Sequence, residues 1–583
     1  MDSSTVLARL PTQNKIEPKA IKAIKLDKTK IERKFNDLFQ KRKKWETRWK
    51  EIRDYQNPWT GQFDDTGDDS NPARRRDDVM IDGTPLEACQ ILASGIMSGL
   101  TPPSRPWFKL AIADPNLKDD VQIKRWLDEV QDIIYATLSK SNFYNAAHSV
   151  YLDLPFGQGI MAILPNAKTG IHCRPYTIGS YALDVGPDGL VNVFARRWKM
   201  SALQIVKQFG YDNCPRTIQQ AYDNNRYEQS YKVCWLVETN ENKDNQSNSR
   251  FNMPFTSIYW LEGSEKDEWL YIGGFEEWPV PIARWQVNDL DAYAKGPGWF
   301  CEGDAKMLQM LYLDLLDAVN LQVHPPVVAS SATANGGINT MPDGITISDD
   351  TSQKVEPLYQ VNLDLGSCRE LIVDVRDKIK RHYSADLFMM LDQLDKGQMT
   401  AREVIERSQE KLQQLGPVTE RLQYEFLSPI LERVYGILER AGLLPELPQE
   451  YAEISHEIKI EYISPLAQAQ RMSGLTTIEQ AVAFVGQMAG MYPNVLMKLD
   501  ENEVIDRYFE ALGASASMLR PDDVVQQMIA QKQQQEQQEK MAAMTMQGAA
   551  PMAQAVQSMT DAANNGNPAM AELLGMPGAG GEL

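Results

Sequence analysis

The sequence predicts a mixed α+β protein, mainly α, and three stretches carry that expectation. From Phe388 to Pro445 a short loop ending in Gly397 leads into a run where Val404, Leu412, Leu415, Leu422, Phe426, Ile430, Val434, Leu438 and Ala441 recur at three- and four-residue steps, the period of one apolar helical stripe. From Gly159 to Met200 the period changes to alternation broken by turn residues, as in antiparallel hairpins. The segment Asp304 to Leu321, DAKMLQMLYLDLLDAVNL, is apolar all round, with Asp314 and Asp317 almost its only charges. Such a helix must be covered on every side, by its own chain or by identical neighbours around a ring.

Composition narrows the class. A chain of 583 residues accommodates several domains, and 43% hydrophobic with 24% charged residues is ordinary for a folded protein. A net charge of -19 argues against a protein whose main task is gripping a nucleic-acid backbone, though not against one that lets nucleic acid slide past. The six cysteines (Cys89, Cys173, Cys214, Cys234, Cys301, Cys368) include no C-x-x-C pair and read as thiols of a reducing compartment. No apolar run approaches the roughly 18 residues that would span a bilayer, and no signal-peptide segment opens the chain. The expectation is a protein made and folded in a cytoplasm.

In chain order, the first 25 or so residues are polar and lysine-rich and read as a mobile arm. Ile31, Phe35, Leu38, Trp45, Trp49 and Ile52 fit a helical stripe beside the basic run Lys41–Lys44, which is either a nucleic-acid contact or a solvated helix face. Gly61 to Asp78 reads as an exposed loop. A helix follows within Ile81–Leu110, where Ala88, Ala93, Ser94, Gly95 and Ser98 permit close packing and Pro102-Pro103 stops it. A second runs from about Val121 to Ser139 with Trp126, Val130, Ile133 and Thr137. Strands are expected at Ile160–Leu164, Tyr181–Val185, Leu190–Phe194, Tyr231–Val237, Phe255–Leu261 and near Trp269–Ile272, with a polar loop at Glu241–Ser249. After the all-round apolar helix, Pro325-Pro326 opens an irregular Gly/Ser/Asp-rich excursion to Leu365. Ser367-Cys368-Arg369-Glu370 reads as a capping box for a helix carrying Leu371, Ile372, Val375 and Ile379, with Arg376 and Lys380 on one face. Two helices around such an excursion make an antiparallel hairpin with an elaborated tip.

Thr400-Ala401-Arg402-Glu403 supplies another capping box at the head of the long helix. At about 1.5 Å per residue that helix reaches on the order of 60 Å. Gly416-Pro417 and Ser428-Pro429 are expected to kink it, and Gly442 and Pro445 to end it. Beyond Pro448 come a strand at Glu457–Ile463 and helices near Ile478–Met488 and Glu503–Leu512. The chain then turns Gln/Met/Ala-rich from about Gln526, and its last 30 residues read as disordered.

The search for chemistry returns no phosphate-binding loop, no H-E-x-x-H, no G-x-S-x-G and no zinc-spaced Cys/His set. His172 and Cys173 are neighbours in a strand and point to opposite faces. Asp392 and Asp395 have a spacing open to acid/base work or Mg²⁺, but exposed loop acids are the commoner case. The residues predict no active site, no cofactor and no metal.

The ordered set LASGIMSGLTPPSRPWFKL (Leu92–Leu110), GFEEWPVPIARW (Gly274–Trp285), KGPG (Lys295–Gly298) and MTAREVIER (Met399–Arg407) resembles the head-to-tail connecting, or portal, protein of short-tailed bacteriophages, over roughly Ile31 to Leu447. The resemblance implies a cyclic homo-oligomeric ring, a homo-dodecamer at one capsid vertex of the virion. Double-stranded DNA would pass through it non-specifically during packaging and ejection. Implied partners are the terminase packaging motor, the tail adaptor protein, and the scaffold and major capsid proteins, with no membrane. The implied portal fold has long stem and wing helices, small antiparallel sheets in wing and clip, and a helical crown. Its divisions here are a basic arm (1–28), wing (29–303), first stem helix (304–323), clip (324–366), second stem helix (367–386), tunnel loop (387–399), a long kinked wing/crown helix (400–446), crown (447–525) and a helical or disordered tail (526–583).

By the same resemblance Met389, Met390, Leu391, Asp392, Gln393, Leu394, Asp395, Lys396 and Gly397 form the tunnel loop, and Arg376 and Lys380 are basic candidates for the channel lining. Leu308, Leu311, Leu315 and Val319 are candidates for the subunit interface. An acidic chain suits a channel that must not hold its cargo. Two alternatives remain: another ring or tube component of the phage tail, and a metal-dependent nucleic-acid enzyme.

Overall fold

The computed structural model describes residues 26–63, 79–112, 121–241, 252–265, 268–331, 355–359, 364–389, 415–446, 458–463 and 482–488, with isolated positions between and beyond these runs. By internal contacts the chain divides into Met1–Gly474 and Leu475–Leu583. In the second unit a helix over 482–488 is described.

Helix α1 (Lys28–Gln56) starts at Asp27, whose carboxylate accepts the N–H groups of Thr29 and Lys30. Its stripe is the expected one, with Phe35, Leu38, Trp49 and Ile52 buried. The basic run beside it divides by role. Arg42 is buried and donates to the Gly179 and Tyr181 carbonyls, Lys41 pairs with Asp184 at 2.9 Å, and Lys43 and Lys44 face solvent. Helix α2 (Thr84–Leu100) has Pro85 in its first turn and ends before Pro102-Pro103. Of its small residues Ala88, Ala93 and Gly95 are buried, whereas Ser94 is exposed. β1 (Phe108–Ile112) leads to α3 (Val121–Lys140). There Ile123, Trp126, Leu127, Val130, Ile134 and Leu138 are buried, so the stripe is centred one residue away from Ile133 and Thr137, which are half-buried.

Helix α4 (Phe143–Leu152) was not legible as such, and its NAAHS centre carries little periodicity. The β-rich part follows: β2 (Gln158–Asn166), β3 (Gly170–Tyr176), β4 (Tyr181–Val185) and β5 (Val191–Ser201). Two short helices, α5 (Ala202–Phe209) and α6 (Arg216–Asp223), interrupt before β6 (Ser230–Thr239), β7 (Phe255–Leu261), β8 (Tyr271–Phe275) and β9 (Ile282–Arg284). A capping box between Ser201 and Gln204 starts α5. All pairings are antiparallel: a three-stranded sheet β3-β2-β9 and a five-stranded sheet β4-β5-β6-β7-β8. The five-stranded sheet is buried on both faces. Phe194, Trp235 and Tyr259 face one core, while Cys234, Leu236, Ile258 and Trp260 face Phe35, Leu38 and Phe39 of α1. That double burial is why β6 reads as the near-continuous apolar run VCWLV.

Helix α7 (Pro297–Val323) starts seven residues before the all-round apolar segment, and its tip leads into the two-residue ladder β10 (Val327–Val328) with β11 (Glu356–Pro357). Helix α8 (Leu365–His382) returns. Its cap is Asp364, not Ser367: the Asp364 carboxylate accepts the Gly366 N–H, and the Ser367 hydroxyl itself donates to Asp364 at 2.5 Å. The motif read as a capping box is therefore one turn inside the helix, and Asp364 is the stronger cap.

The head of the long helix, with Thr400 and Glu403, lies outside the described residues. From residue 415 the helix runs to Arg440 with a π-helical turn at Gln423–Leu427, after which α9 (Ser428–Arg440) resumes. Pro429, which lacks an N–H, sits in the first turn after that π segment, so the disturbance expected of Ser428-Pro429 takes the form of a local change in helical winding. Gly442, at φ +64°, ends the helix; its N–H donates to the Glu439 carbonyl and the Leu443 N–H to that of Leu438, a Schellman pair. β12 (Ile458–Tyr462) is the strand expected after Pro448, and it pairs with β1, Phe108 opposite Tyr462.

Candidate functional site: the α7–α8 hairpin

The hairpin is anchored where KGPG stands. A Cβ on Gly296 would lie 2.1 Å from the Leu154 carbonyl oxygen, and one on Gly298 2.6 Å from that of Pro155. Only glycine lets α7 start against this backbone. One turn on, Glu302 binds α7 to α1 by accepting from Arg48 at 2.8 Å and Lys306 at 2.6 Å. Burial opposes the charge of Glu302, but these partners outweigh it and hold its pKa below the usual range.

Above this base α7 and α8 pack on each other and on α2. Ile372, Val375 and Ile379 of α8 are buried, as are Ala305 and Leu308 of α7. Near the seam lies Asp82, whose side chain is 2% exposed. It accepts from the Thr84 N–H and hydroxyl and from Nε of Arg376 at 2.9 Å. Gln309 of α7 donates to the Asp82 carbonyl and accepts the Ile81 and Asp82 N–H groups. Arg376 also donates to the Tyr312 hydroxyl at 2.5 Å, with its guanidinium 5.4 Å from the ring centre. Burial works against the Asp82 carboxylate, yet the Thr84 bonds and Arg376 hold its pKa below the ordinary range. One residue, Asp82, thus joins the approach to α2 with both hairpin helices, α8 through its carboxylate and α7 through its backbone. Sequence reading missed Asp82 and Gln309. The signal for Asp82 as a cap was its place two residues before Thr84-Pro85; nothing in the chain pointed to its partner 294 residues away.

The sequence-predicted site residues sort as follows. Arg376, a candidate for the channel lining, is held by the chain's own Asp82 and Tyr312, with its side chain 39% exposed. Lys380 is half-buried and has no ion pair among the described residues. Leu308 is wholly inside the chain's own core, and Leu311 and Leu315 are half-buried and packed partly against it. Val319 is half-buried. The outward face of α7 carries other residues: Met307, Met310, Leu313, Leu316 and Leu321, exposed by 37 to 63%. Leu371 and Val373 of α8, and Val327, Val328, Leu358 and Tyr359 by the small ladder, are exposed as well. In the tunnel loop, Met389 ends a helical turn and is exposed, while Met390, Leu391, Asp392, Gln393, Leu394, Asp395, Lys396 and Gly397 lie outside the described residues.

The GFEEWPVPIARW stretch joins the sheets to the long helix. Glu277 accepts from Arg433 at 2.6 Å and from Arg440, and Arg284, itself 2% exposed, donates to Glu425 at 2.5 Å and to the Gly189 carbonyl at 2.8 Å. Among the described residues no three His, Cys, Asp or Glu side chains gather as a metal site, and no helix is long and apolar enough to cross a membrane.

Comparison with known proteins agrees with the pattern of motifs. Residues 28–519 match the family described as bacteriophage head to tail connecting protein. The portal protein of Salmonella phage epsilon15 is 36% identical over 504 residues, covering 86% of this chain and 90% of that protein. A probable portal protein of Bordetella phage BPP-1 is 33% identical over 519 residues, covering 88% of this chain and 93% of that one.

Proposed function

The chain belongs to the bacteriophage head to tail connecting, or portal, protein family, and from that premise we propose that it assembles as a closed ring of about twelve copies at one vertex of the virion. The ring serves as the channel through which a packaging motor drives DNA and through which DNA later leaves. Residues 29–303 form the wing, α7 and α8 the stem, 324–366 the clip that receives the motor and then the tail adaptor, and 387–399 the tunnel loop. The later residues, 400–446, 447–525 and 526–583, form the wing/crown helix, crown and tail. The protein acts structurally, and the energy of packaging comes from another chain.

The observation that carries this reading is the outward apolar face of α7. Five large apolar side chains left in water along one helix, interrupted by Asp314 and Asp317, are what an interaction surface presents. Identical neighbours around a ring cover it by presenting the same hairpin, with Met310 and Leu313, exposed within one chain, in the contact. Purified protein should appear as rings by negative-stain microscopy. The double variant Met310→Asp with Leu313→Asp should remain folded by circular dichroism and elute as a monomer, because both side chains are exposed within one chain. Intact rings from that variant would remove α7 from the subunit interface.

A further inference from the structure

Beside the five-stranded sheet, between β3, the end of β5 and α5, lies a cavity of about 470 Å³. It is lined by Arg174, Trp198, Lys199 and Met200, and from α5 by Lys207 and its glutamine neighbours. Three of these residues are cations and none is an acid.

A fourth cation stands behind the wall. The Arg196 guanidinium lies 4.0 Å from the centre of the Tyr176 ring and 4.6 Å from that of Trp198, and Arg174 approaches Tyr176 at 5.8 Å. Two guanidiniums thus share one tyrosine, in the order Arg174, Tyr176, Arg196, Trp198. Nε and Nη1 of Arg196 are buried with no hydrogen-bond partner. None of Arg174, Arg196, Lys199 and Lys207 has an ion pair among the described residues. Arg197, which points to the opposite face of the same strand, has Glu262 at 3.2 Å, so the sheet places acids where a cation is to be neutralised internally. Burial, with Arg174 adding to it, pulls the Arg196 pKa down to about 10. Arg196 is half-buried, and keeping its Nε and Nη1 out of water without a counter-charge is costly, a cost that ring contacts offset only in part. In a chain with 79 acidic residues and a net charge of -19, these four cations have no carboxylate partner among the described residues.

We propose that this cavity binds a nucleotide-type ligand, its phosphate held by Arg174, Lys199 and Lys207 in the positive potential of Arg196, and its planar base laid against Trp198 and Met200. Phosphate fits better than a single carboxylate, because three exposed cations line one pocket and guanidinium and ammonium groups both favour a doubly charged, many-acceptor anion. The aromatic wall supplies what inorganic phosphate does not need and a base does. The volume is in the range of small-molecule sites, about 300–1,000 Å³. The phosphate comes either from a free nucleotide or from the end of a nucleic-acid strand.

The test is equilibrium binding to the intact protein at low salt, with inorganic phosphate, adenosine monophosphate and a short 5′-phosphorylated single strand as probes. The nucleotide should bind more tightly than inorganic phosphate, and Arg174→Gln and Lys207→Gln should each weaken it about tenfold, the loss of one charge-assisted contact. Lys207 is exposed, so its variant keeps the experiment readable even if Arg196→Met fails to fold. Binding of the free nucleotide alone assigns a small-molecule site, and binding of both probes assigns one that also takes strand ends; either supports the proposal. No binding, binding equal to that of inorganic phosphate, or binding indifferent to Lys207→Gln overturns it.

Discussion

Replacing Arg376 with Leu should loosen the hairpin in a way that depends on pH. The Asp82 side chain is 2% exposed and that of Arg376 39%. Removing one partner of a fully buried pair costs about 3–5 kcal/mol. Water reaches the arginine side, which lowers the expectation to about 2–3 kcal/mol at neutral pH. At 1.36 kcal/mol per decade this is about a 30- to 150-fold loss of amide protection in α8, read by hydrogen exchange with intrinsic rates corrected for pH. The sign follows from Asp82, whose pKa is depressed in the folded protein. Its contribution is present above the unfolded carboxylate range of about pH 4 and is lost as pH falls through the folded value. In the variant, a buried carboxylate has only Thr84 for company at neutral pH and is relieved by protonation in acid. The gap between variant and wild type should therefore shrink severalfold on going from pH 7 to below pH 4. Tyr312→Phe, which keeps the ring and removes the hydroxyl that accepts from Arg376, serves as the control for that hydrogen bond. An equal loss of protection at both pH values would mean that Arg376 acts through its packing on Tyr312, and the ion-pair argument would fail.

Two further outcomes follow from other sites. Gly95→Ala should cost about 1–3 kcal/mol by overpacking, since the new methyl would lie 2.2–2.4 Å from Phe388 atoms. Phe388→Ala should not rescue it, because the Phe388 Cβ itself is 2.4 Å away; a full rescue in thermal unfolding would show that only the ring is in conflict. Burial pushes the Asp153 carboxyl up to about 7, against the Ile178 N–H that it accepts. A raised folded pKa means that stability falls as pH rises from about 4 to about 7 and then levels. Asp153→Asn, which keeps an acceptor for Ile178, should flatten that part of the stability profile, and an unchanged profile would place the dependence elsewhere.

The sequence by itself determined the fold class, the strands of the large sheet, the helical hairpin and the family, because each rests on local period or on an uninterrupted motif. The stripe of Phe35, Leu38, Trp49 and Ile52 needed no distant partner to be read. The KGPG motif was visible as a motif, but its reason, the carbonyl groups of Leu154 and Pro155 pressed against Gly296 and Gly298, lies 142 and 143 residues earlier in the chain by the numbering. The same limit governed the site. A helix apolar on every side announces that it must be covered, but period alone does not say which side its own chain takes. Only the docking of α8 and α2 turned Leu308 inward and left Met310 and Leu313 outside, and only that docking brought Arg376 to Asp82. Direction around a helix is decided by what packs against it, and those partners are remote in sequence, so their identity is carried by tertiary contact and not by any local pattern.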